Sequence, residues 1–326
     1  NRTDPATKKP PPPGLTAWMS FAGVFAALIA VIYQLTAMQR RWGIERETPD
    51  PRDVLIVSFP KSGSNWVRFL VVGLIVRDPS TLTFDLAERL VPDLEYGPNR
   101  AKFEKSTRLA WKSHQPYRER PQGGAEQPQR CGLANMESFQ CLCPNCPARW
   151  RRVLYVVRDG RSVLCSYYHQ QRQLGNFEQE GTFDEFLRSD KAKYGVAWPE
   201  HVTAYGDLAE RRGDQSILVV RYEDLHAEPD ATLRKIAEWY VPGETVSDDK
   251  LHDVLDVASF DSMRRIEAER GTVPLFDEQY PEARDFHLVR QGRVDGWRQC
   301  ANESAFFDDR VPGFRAAMTA FGYYSN

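Results

Sequence analysis

The sequence predicts an α/β fold: an open parallel sheet flanked by helices, preceded by an N-terminal transmembrane helix. Three observations lead there. Residues 54–57, 153–157 and 216–221 are short apolar runs rich in β-branched side chains, the composition of strands buried on both faces. Helical patterns follow these runs, and buried strands alternating with helices assemble into parallel sheets. Finally, Lys61, Arg158 and Tyr222 stand just after the three runs, and His114 after a shorter one at 108–111. An open α/β sheet binds its ligands at the strand carboxyl ends, which is where these polar side chains stand.

The chain of 326 residues, 41% hydrophobic and 12% aromatic, can bury the core of one large domain. A formal net charge of −2 leaves no cationic excess for a phosphodiester backbone, which argues against nucleic acid as a partner. Residues 1–14 form a polar, proline-rich tail. Residues 15–38 carry no charge and are long enough to span a bilayer, with Trp18 and Tyr33 at interfacial depths. The run is too long for a secretory signal and no clear small-x-small cleavage site follows; a buried core helix is the bland alternative. Arg2, Lys8 and Lys9 on one side nearly balance Arg40, Arg41 and Arg46 on the other, so charge leaves the orientation open. A linker at 39–49 leads into a domain over 50–326.

That domain opens with DVLIVSFPKSGSNWVRFLVVGLIV from Asp53 to Val76: a strand, a tight polar turn and an apolar helix. Such a turn aims backbone N–H groups and a helix dipole at an anion. Lys61 adds charge, Ser62 and Ser64 add hydroxyl donors, and Gly63 admits close approach to the backbone. The lysine precedes the glycine, so this is not the GxxxxGK[ST] loop of nucleoside triphosphatases. FPKSGSNW, including Asn65 and Trp66, resembles the 5′-phosphosulfate loop of sulfotransferases, which use 3′-phosphoadenosine 5′-phosphosulfate (PAPS).

Further blocks follow in the family's order across most of 53–323. WKSHQPY resembles its KTHxPY segment, which implies His114 as catalytic base; Lys112 lies two residues earlier on the same strand face and is placed to steady the sulfuryl oxygens. VVRDGRSVLCSYYH resembles the 3′-phosphate motif and implies Arg158 and Ser166 as ligands, with Ser166 also restraining Lys61; Gly160 stands where the family usually has proline. RYEDL implies that Tyr222 meets the adenine. SFDSM resembles a turn, Ser259, Phe260 and Met263, that sandwiches adenine against Trp66. VRQGRVDGW resembles the RKGxxGxW loop over the 3′-phosphate and implies Arg290, Gln291 and Gly292, with Gln291 in place of lysine and Asp295 in place of glycine. The family's dimer motif is absent after this loop.

The resemblance implies a nucleotide-kinase-like domain that moves a sulfuryl group in line to an acceptor hydroxyl or amine, on a small molecule or a glycan, without metal. A phosphoryl-transfer enzyme would need a Mg²⁺ carboxylate and a lysine after the loop glycine, and neither is present in the motif. A membrane-tethered nucleotide binder without turnover is the remaining alternative. Residues 118–149 form an insertion holding Cys131, Cys141, Cys143 and Cys146, four of six cysteines, whose C-x9-C-x-C-x2-C spacing fits zinc or disulfides equally. The anchor suggests a Golgi enzyme with a lumenal catalytic domain. Residues 177–198 are expected over the mouth of the site, amphipathic helices over 229–240 and 247–258, and a closing helix over 311–323.

Overall fold

The computed structural model describes residues 54–93, 110–117, 152–271, 287–302, 306 and 311–324. The chain divides into Asn1–Arg46 and Glu47–Asn326, and every described residue belongs to the second unit. The expected tail, membrane helix at 15–38 and linker lie outside the described residues, as do Cys131, Cys141, Cys143 and Cys146. Among the described residues, no helix is long and apolar enough to cross a membrane.

Strands Val54–Ser58 (β1), Trp111–Ser113 (β2), Arg152–Val157 (β3) and Ile217–Arg221 (β4) form one parallel sheet in the order β2-β1-β3-β4. Val57 lies opposite Ser113 on one side and Tyr155 on the other, and Val157 lies opposite Arg221. This register brings all four carboxyl ends to one edge. The chain leaves β1 toward β2 and leaves β3 toward β4, so a crevice opens between β1 and β3, where such sheets bind ligands.

The first helix among the described residues is α1 (Ser64–Ile75), followed by α2 (Phe84–Leu90). After β3 come α3 (Gly160–Gln173), α4 (Phe183–Arg188) and α5 (Trp198–Arg212). After β4 come α6 (Tyr222–Ala227), α7 (Pro229–Tyr240), α8 (Asp248–Val257), α9 (Phe260–Arg270) and finally α10 (Phe314–Ala320). One sheet face, Leu55, Val57, Tyr155 and Val157, packs in a core with Trp198, Tyr205 and Phe314 from α5 and α10. Each large aliphatic side chain so buried contributes about 1.5–3 kcal/mol. The alternate residues, such as Ile56 and Val156, are equally buried, consistent with helices on both faces. Leu233, Ile236, Ala237 and Tyr240 form the buried stripe of α7, as their spacing predicts.

Four local expectations change. The strand expected at 108–111 is β2, because Trp111, Lys112 and Ser113 pair with β1 and Lys112 N donates to the Pro92 carbonyl at 2.9 Å. A polar pair read as lying beyond the strand is buried within it. Ser259 to Met263, expected as a turn, starts α9: Ser259 Oγ accepts from Ser262 N at 3.3 Å and caps the helix. The closing helix is shorter than expected, since Gly313 (φ 78°) and Gly322 (φ 71°) adopt left-handed geometry at its two ends. Within 177–198, α4 turns Phe183 and Phe186 into the core, and Lys191 and Tyr194 are the members that reach the cleft.

Candidate active site

A cleft of about 1080 Å³ runs along the carboxyl edge of the sheet. Lys61, Gly63, Ser64, Asn65, Trp66, Lys112, His114, Arg158, Ser166, Tyr222, Ser259, Phe260, Met263, Arg290, Gln291 and Gly292 all line it. Ser62 lies just beneath, fully buried.

At one end the loop between β1 and α1 is held in strained form. Lys61 takes φ 69°, a left-handed conformation that costs a lysine about 1–2 kcal/mol. Gly63 takes φ 103°, and a Cβ there would meet Tyr222 Cδ2 at 2.6 Å, so the position admits no side chain. No side chain caps α1, which leaves its first N–H groups and positive dipole end to the cleft. Arg158 bridges the two halves of the crevice: Nη1 donates to the Lys61 carbonyl at 3.1 Å and Nη2 to the Arg293 carbonyl at 2.7 Å. Its guanidinium lies 4.2 Å from the Tyr222 ring centroid. Among the described residues, Ser62 Oγ and Arg158 Nε are buried with no hydrogen-bond partner. Burial, then Arg290 and Arg158, lower the Lys61 pKa to about 8, and burial with Arg158 lowers that of Arg290. Three cations thus face one another, with donors left over: the arrangement suits a multiply charged anion.

The cover is built from 288–296. Glu267, buried, accepts from Leu288 N at 2.6 Å, and Arg264 Nη1 donates to the Arg290 carbonyl at 3.0 Å, which fixes the loop that carries Arg290. Gly292 (φ 61°) lies against Phe260, where a Cβ would fall 2.4 Å from the ring. The Gln291 amide pairs reciprocally with Gln299 at 3.0 Å. Cys165, beside Ser166 on α3, is disulfide-bonded to Cys300 just after this loop, with Cα atoms 5.9 Å apart. Trp66, Tyr222 and His226 make an aromatic wall, with Trp66 to His226 centroids at 4.9 Å and Trp66 to Tyr222 at 5.4 Å. Gly160 is explained by packing: a Cβ would meet Trp198 at 2.7 Å and Phe314 at 2.8 Å.

At the other end, His114 follows β2. Its Nδ1–H donates to the Ser58 carbonyl at 2.7 Å, which sets the tautomer and leaves the Nε2 lone pair on the cleft side. Lys112 Nζ donates to that nitrogen at 2.9 Å and also pairs with Asp93. Burial, then the Lys112 charge, lower the His114 pKa to about 3, so the imidazole is neutral near pH 7. Buried His201 donates from Nε2 to the His114 carbonyl at 3.2 Å, and Tyr205 donates to the Gln115 carbonyl at 2.9 Å, fixing the backbone here.

The sequence reading missed Asp93, Glu88, Arg68, His201, His226, Glu267 and the Cys165–Cys300 bond. Two signals could have found some of them. Arg68 is a lone charge inside an apolar helix and demands a buried acidic partner. Cys165 and Cys300 are what six cysteines leave after the cluster at 131–146.

A profile of the sulfotransferase domain matches residues 51–309. The chain belongs to the sulfotransferase family. Sulfuryl transfer is the reaction of this enzyme, and the α/β parallel sheet is that of sulfotransferases. Sulfotransferase 1C2 of Oryctolagus cuniculus is 26% identical over 281 residues, 80% of this chain and 82% of that protein. Sulfotransferase 4A1 of Homo sapiens is 32% identical over 197 residues, 58% of this sulfotransferase and 60% of the relative. Among solved structures, mouse sulfotransferase SULT7A1 complexed with PAP aligns at TM-score 0.52 and 19% identity, covering 83% of this sulfotransferase and 82% of that chain. At such identity the likeness is one of fold.

Proposed function

We propose that PAPS is the donor, that its phosphosulfate lies on the loop 61–66 and that its 3′-phosphate lies among Arg158, Ser166 and Arg290. The observation that carries this reading is the cluster of three facing cations, Lys61, Arg158 and Arg290, beside the unpartnered donors Ser62 Oγ and Arg158 Nε. Trp66, Tyr222, Phe260 and Met263 line the same cleft and suit an adenine, whose faces stack on aromatic and thioether groups. Ser259 contributes through its position, since its hydroxyl is engaged in capping α9.

In the transfer step His114 Nε2 takes the proton of the acceptor hydroxyl as the new O–S bond forms, and the bond from sulfur to the bridging oxygen breaks. Charge then grows on the leaving 5′-phosphate, where the Lys61 ammonium and the N-terminus of α1 stabilise it. Lys112 steadies the sulfuryl oxygens, and no step calls for a metal. The acceptor enters past Tyr194, whose ring centroid lies 5.7 Å from that of His114. Lys191, Gln170, Gln171 and Asn176, which line the same cleft, offer hydrogen bonds to a polar hydroxyl compound.

An anchor at 15–38 with the catalytic domain in the Golgi lumen completes the reading. The Cys165–Cys300 bond supports it, since disulfides persist in oxidising compartments, as does the exposed Asn302 of an Asn-Glu-Ser glycosylation acceptor. The test of function is turnover of radiolabelled PAPS in EDTA on a panel of 1-naphthol, a steroid alcohol and octyl β-galactoside. Transfer to at least one is expected; no transfer, or transfer only with added Mg²⁺, overturns the reading. For topology, protease added to sealed microsomes should leave the catalytic domain intact, and complete digestion would refute a lumenal domain.

A further inference from the structure

Behind the transfer end lies a group of four buried charges, of which the proposed chemistry uses only Lys112 directly. Arg68, Glu88, Asp93 and Lys112 are each less than 5% exposed, at 3%, 4%, 4% and 4%. Arg68 Nη1 pairs with Glu88 Oε2 at 2.5 Å, and Arg68 Nη2 lies 3.8 Å from Asp93 Oδ2. Glu88 Oε1 accepts from the backbone N–H of Asp93 at 3.0 Å, which fixes where the Asp93 side chain starts. The Asp93 carboxylate pairs with the Lys112 ammonium, and the two residues form an isolated parallel bridge at the edge of the sheet. From there the ammonium reaches His114 Nε2. Two cations and two carboxylates balance, but a buried quartet of this kind is weak evidence for stability, because desolvation offsets most of its attraction. What it does supply is orientation.

We propose that Asp93 is a positioning residue for sulfuryl transfer, holding the Lys112 ammonium within reach of both His114 Nε2 and the sulfuryl oxygens of the bound donor. This rests on His114 as the base. While Lys112 donates to Nε2, the lone pair is engaged and cannot accept the acceptor proton. When the donor arrives, its sulfuryl oxygens draw the ammonium off the imidazole, and the Asp93 carboxylate keeps it tethered. The acceptor O–H then takes its place at Nε2. Asp93 gains and loses no proton; the acceptor proton goes to His114 and the electron pair of the breaking S–O bond goes to the 5′-phosphate. An enzyme without donor therefore keeps its base occupied, which restrains proton transfer from a hydroxyl that arrives first.

The test uses the whole chain as the parent, with Asp93→Asn, Lys112→Met and the double variant. Asp93→Asn should lower kcat about 10²-fold, the usual effect of a misplaced catalytic group, while the KM for PAPS and the affinity for PAP stay within about threefold. The double variant should be no slower than Lys112→Met alone, because Asp93 acts through Lys112. A second readout needs no acceptor: the ¹⁵N shift of His114 Nε2 should move in the same direction, toward that of an unbonded imidazole nitrogen, in both single variants. Multiplying losses in the double variant, an unmoved Nε2 shift in Asp93→Asn, or a fall in PAP affinity matching the fall in kcat would each overturn the proposal. Should Asp93→Asn fail to fold, Lys112→Met, in which Asp93 keeps Arg68, carries the shift measurement alone, and an unmoved shift there overturns it as well. A parent that binds PAP but transfers to no acceptor would instead sink the transfer reading, leaving the shift to decide on Asp93.

Discussion

The two ends of the cleft are built on opposite electrostatic plans. At the donor end Lys61, Arg158 and Arg290 oppose one another, Lys61 sits in left-handed backbone, and Ser62 Oγ and Arg158 Nε are buried without partners among the described residues. At the transfer end the buried charges behind His114 are paired: Lys112 has Asp93, Arg68 has Glu88, and the imidazole is bonded at both nitrogens. On the proposed reading a bound anion answers the facing cations of the first end, whereas the second must be partly undone before it can act. Binding strength and turnover should therefore separate by position along the cleft.

The largest effect is expected at the transfer end. His114→Ala should cut turnover by roughly 10²–10⁴-fold, the usual worth of a positioned base, while leaving nucleotide affinity nearly untouched. Turnover and PAP binding measured on the same variant give the answer; near-normal turnover removes His114 from the chemistry, and equal losses in both make it structural.

Next comes the donor-end backbone. Gly63→Ala puts a Cβ 2.6 Å from the Tyr222 ring and strains φ at 103°, so urea denaturation should show a loss of about 3 kcal/mol. An unchanged midpoint would mean that the loop relaxes freely and is not held as described. Of similar or smaller size is Cys300→Ser, which opens a bond of sequence separation 135 and should cost about 2–4 kcal/mol in oxidised protein. The same variant should weaken PAP binding more than it slows bound-state turnover, because the bond ties α3 to the residues after the covering loop.

These expectations also mark what was legible in the sequence. FPKSGSNW is local: strand, turn and helix are contiguous, so residue types and spacing reveal the anion loop without knowledge of the fold. Arg158 is legible for the same reason, since it ends a buried strand. Asp93 was not, because its role depends on β2 arriving beside it, and the mixed stretch after α2 has no period to read. His201 lies on α5, a stretch to which the sequence reading assigns nothing, and only packing brings Nε2 to the His114 carbonyl. The strand at 111–113 was misplaced because Lys112 and Ser113 look like loop residues; their partners are remote in sequence. Polar residues buried by distant partners are where sequence pattern and structure part.

The pH dependence gives the most graded contrast. His114 is lowered to about 3 and His201 and His169 to about 4, all below the ordinary 6.5. Between those values the unfolded chain binds protons that the folded protein refuses, so stability should fall as pH drops from 6.5 toward 4. Lys61 acts in the alkaline range. With its pKa lowered from 10.5 to about 8, the ligand-free protein should gain stability as pH rises from 8 to 10.5, while PAP affinity falls as the ammonium is lost. Denaturation and PAP titration across both windows test the signs; rising stability on acidification from 6.5, or PAP affinity flat through pH 8–10, would contradict them.

The most direct test of the cleft's division is calorimetric titration of PAP, in EDTA, into the parent, Arg158→Ala and His114→Ala. The parent and His114→Ala should bind alike, and Arg158→Ala should bind ~2–4 kcal/mol more weakly, because a buried phosphate loses a charged, forked partner. Equal affinity of Arg158→Ala and the parent would contradict a donor end built to receive the nucleotide's phosphates.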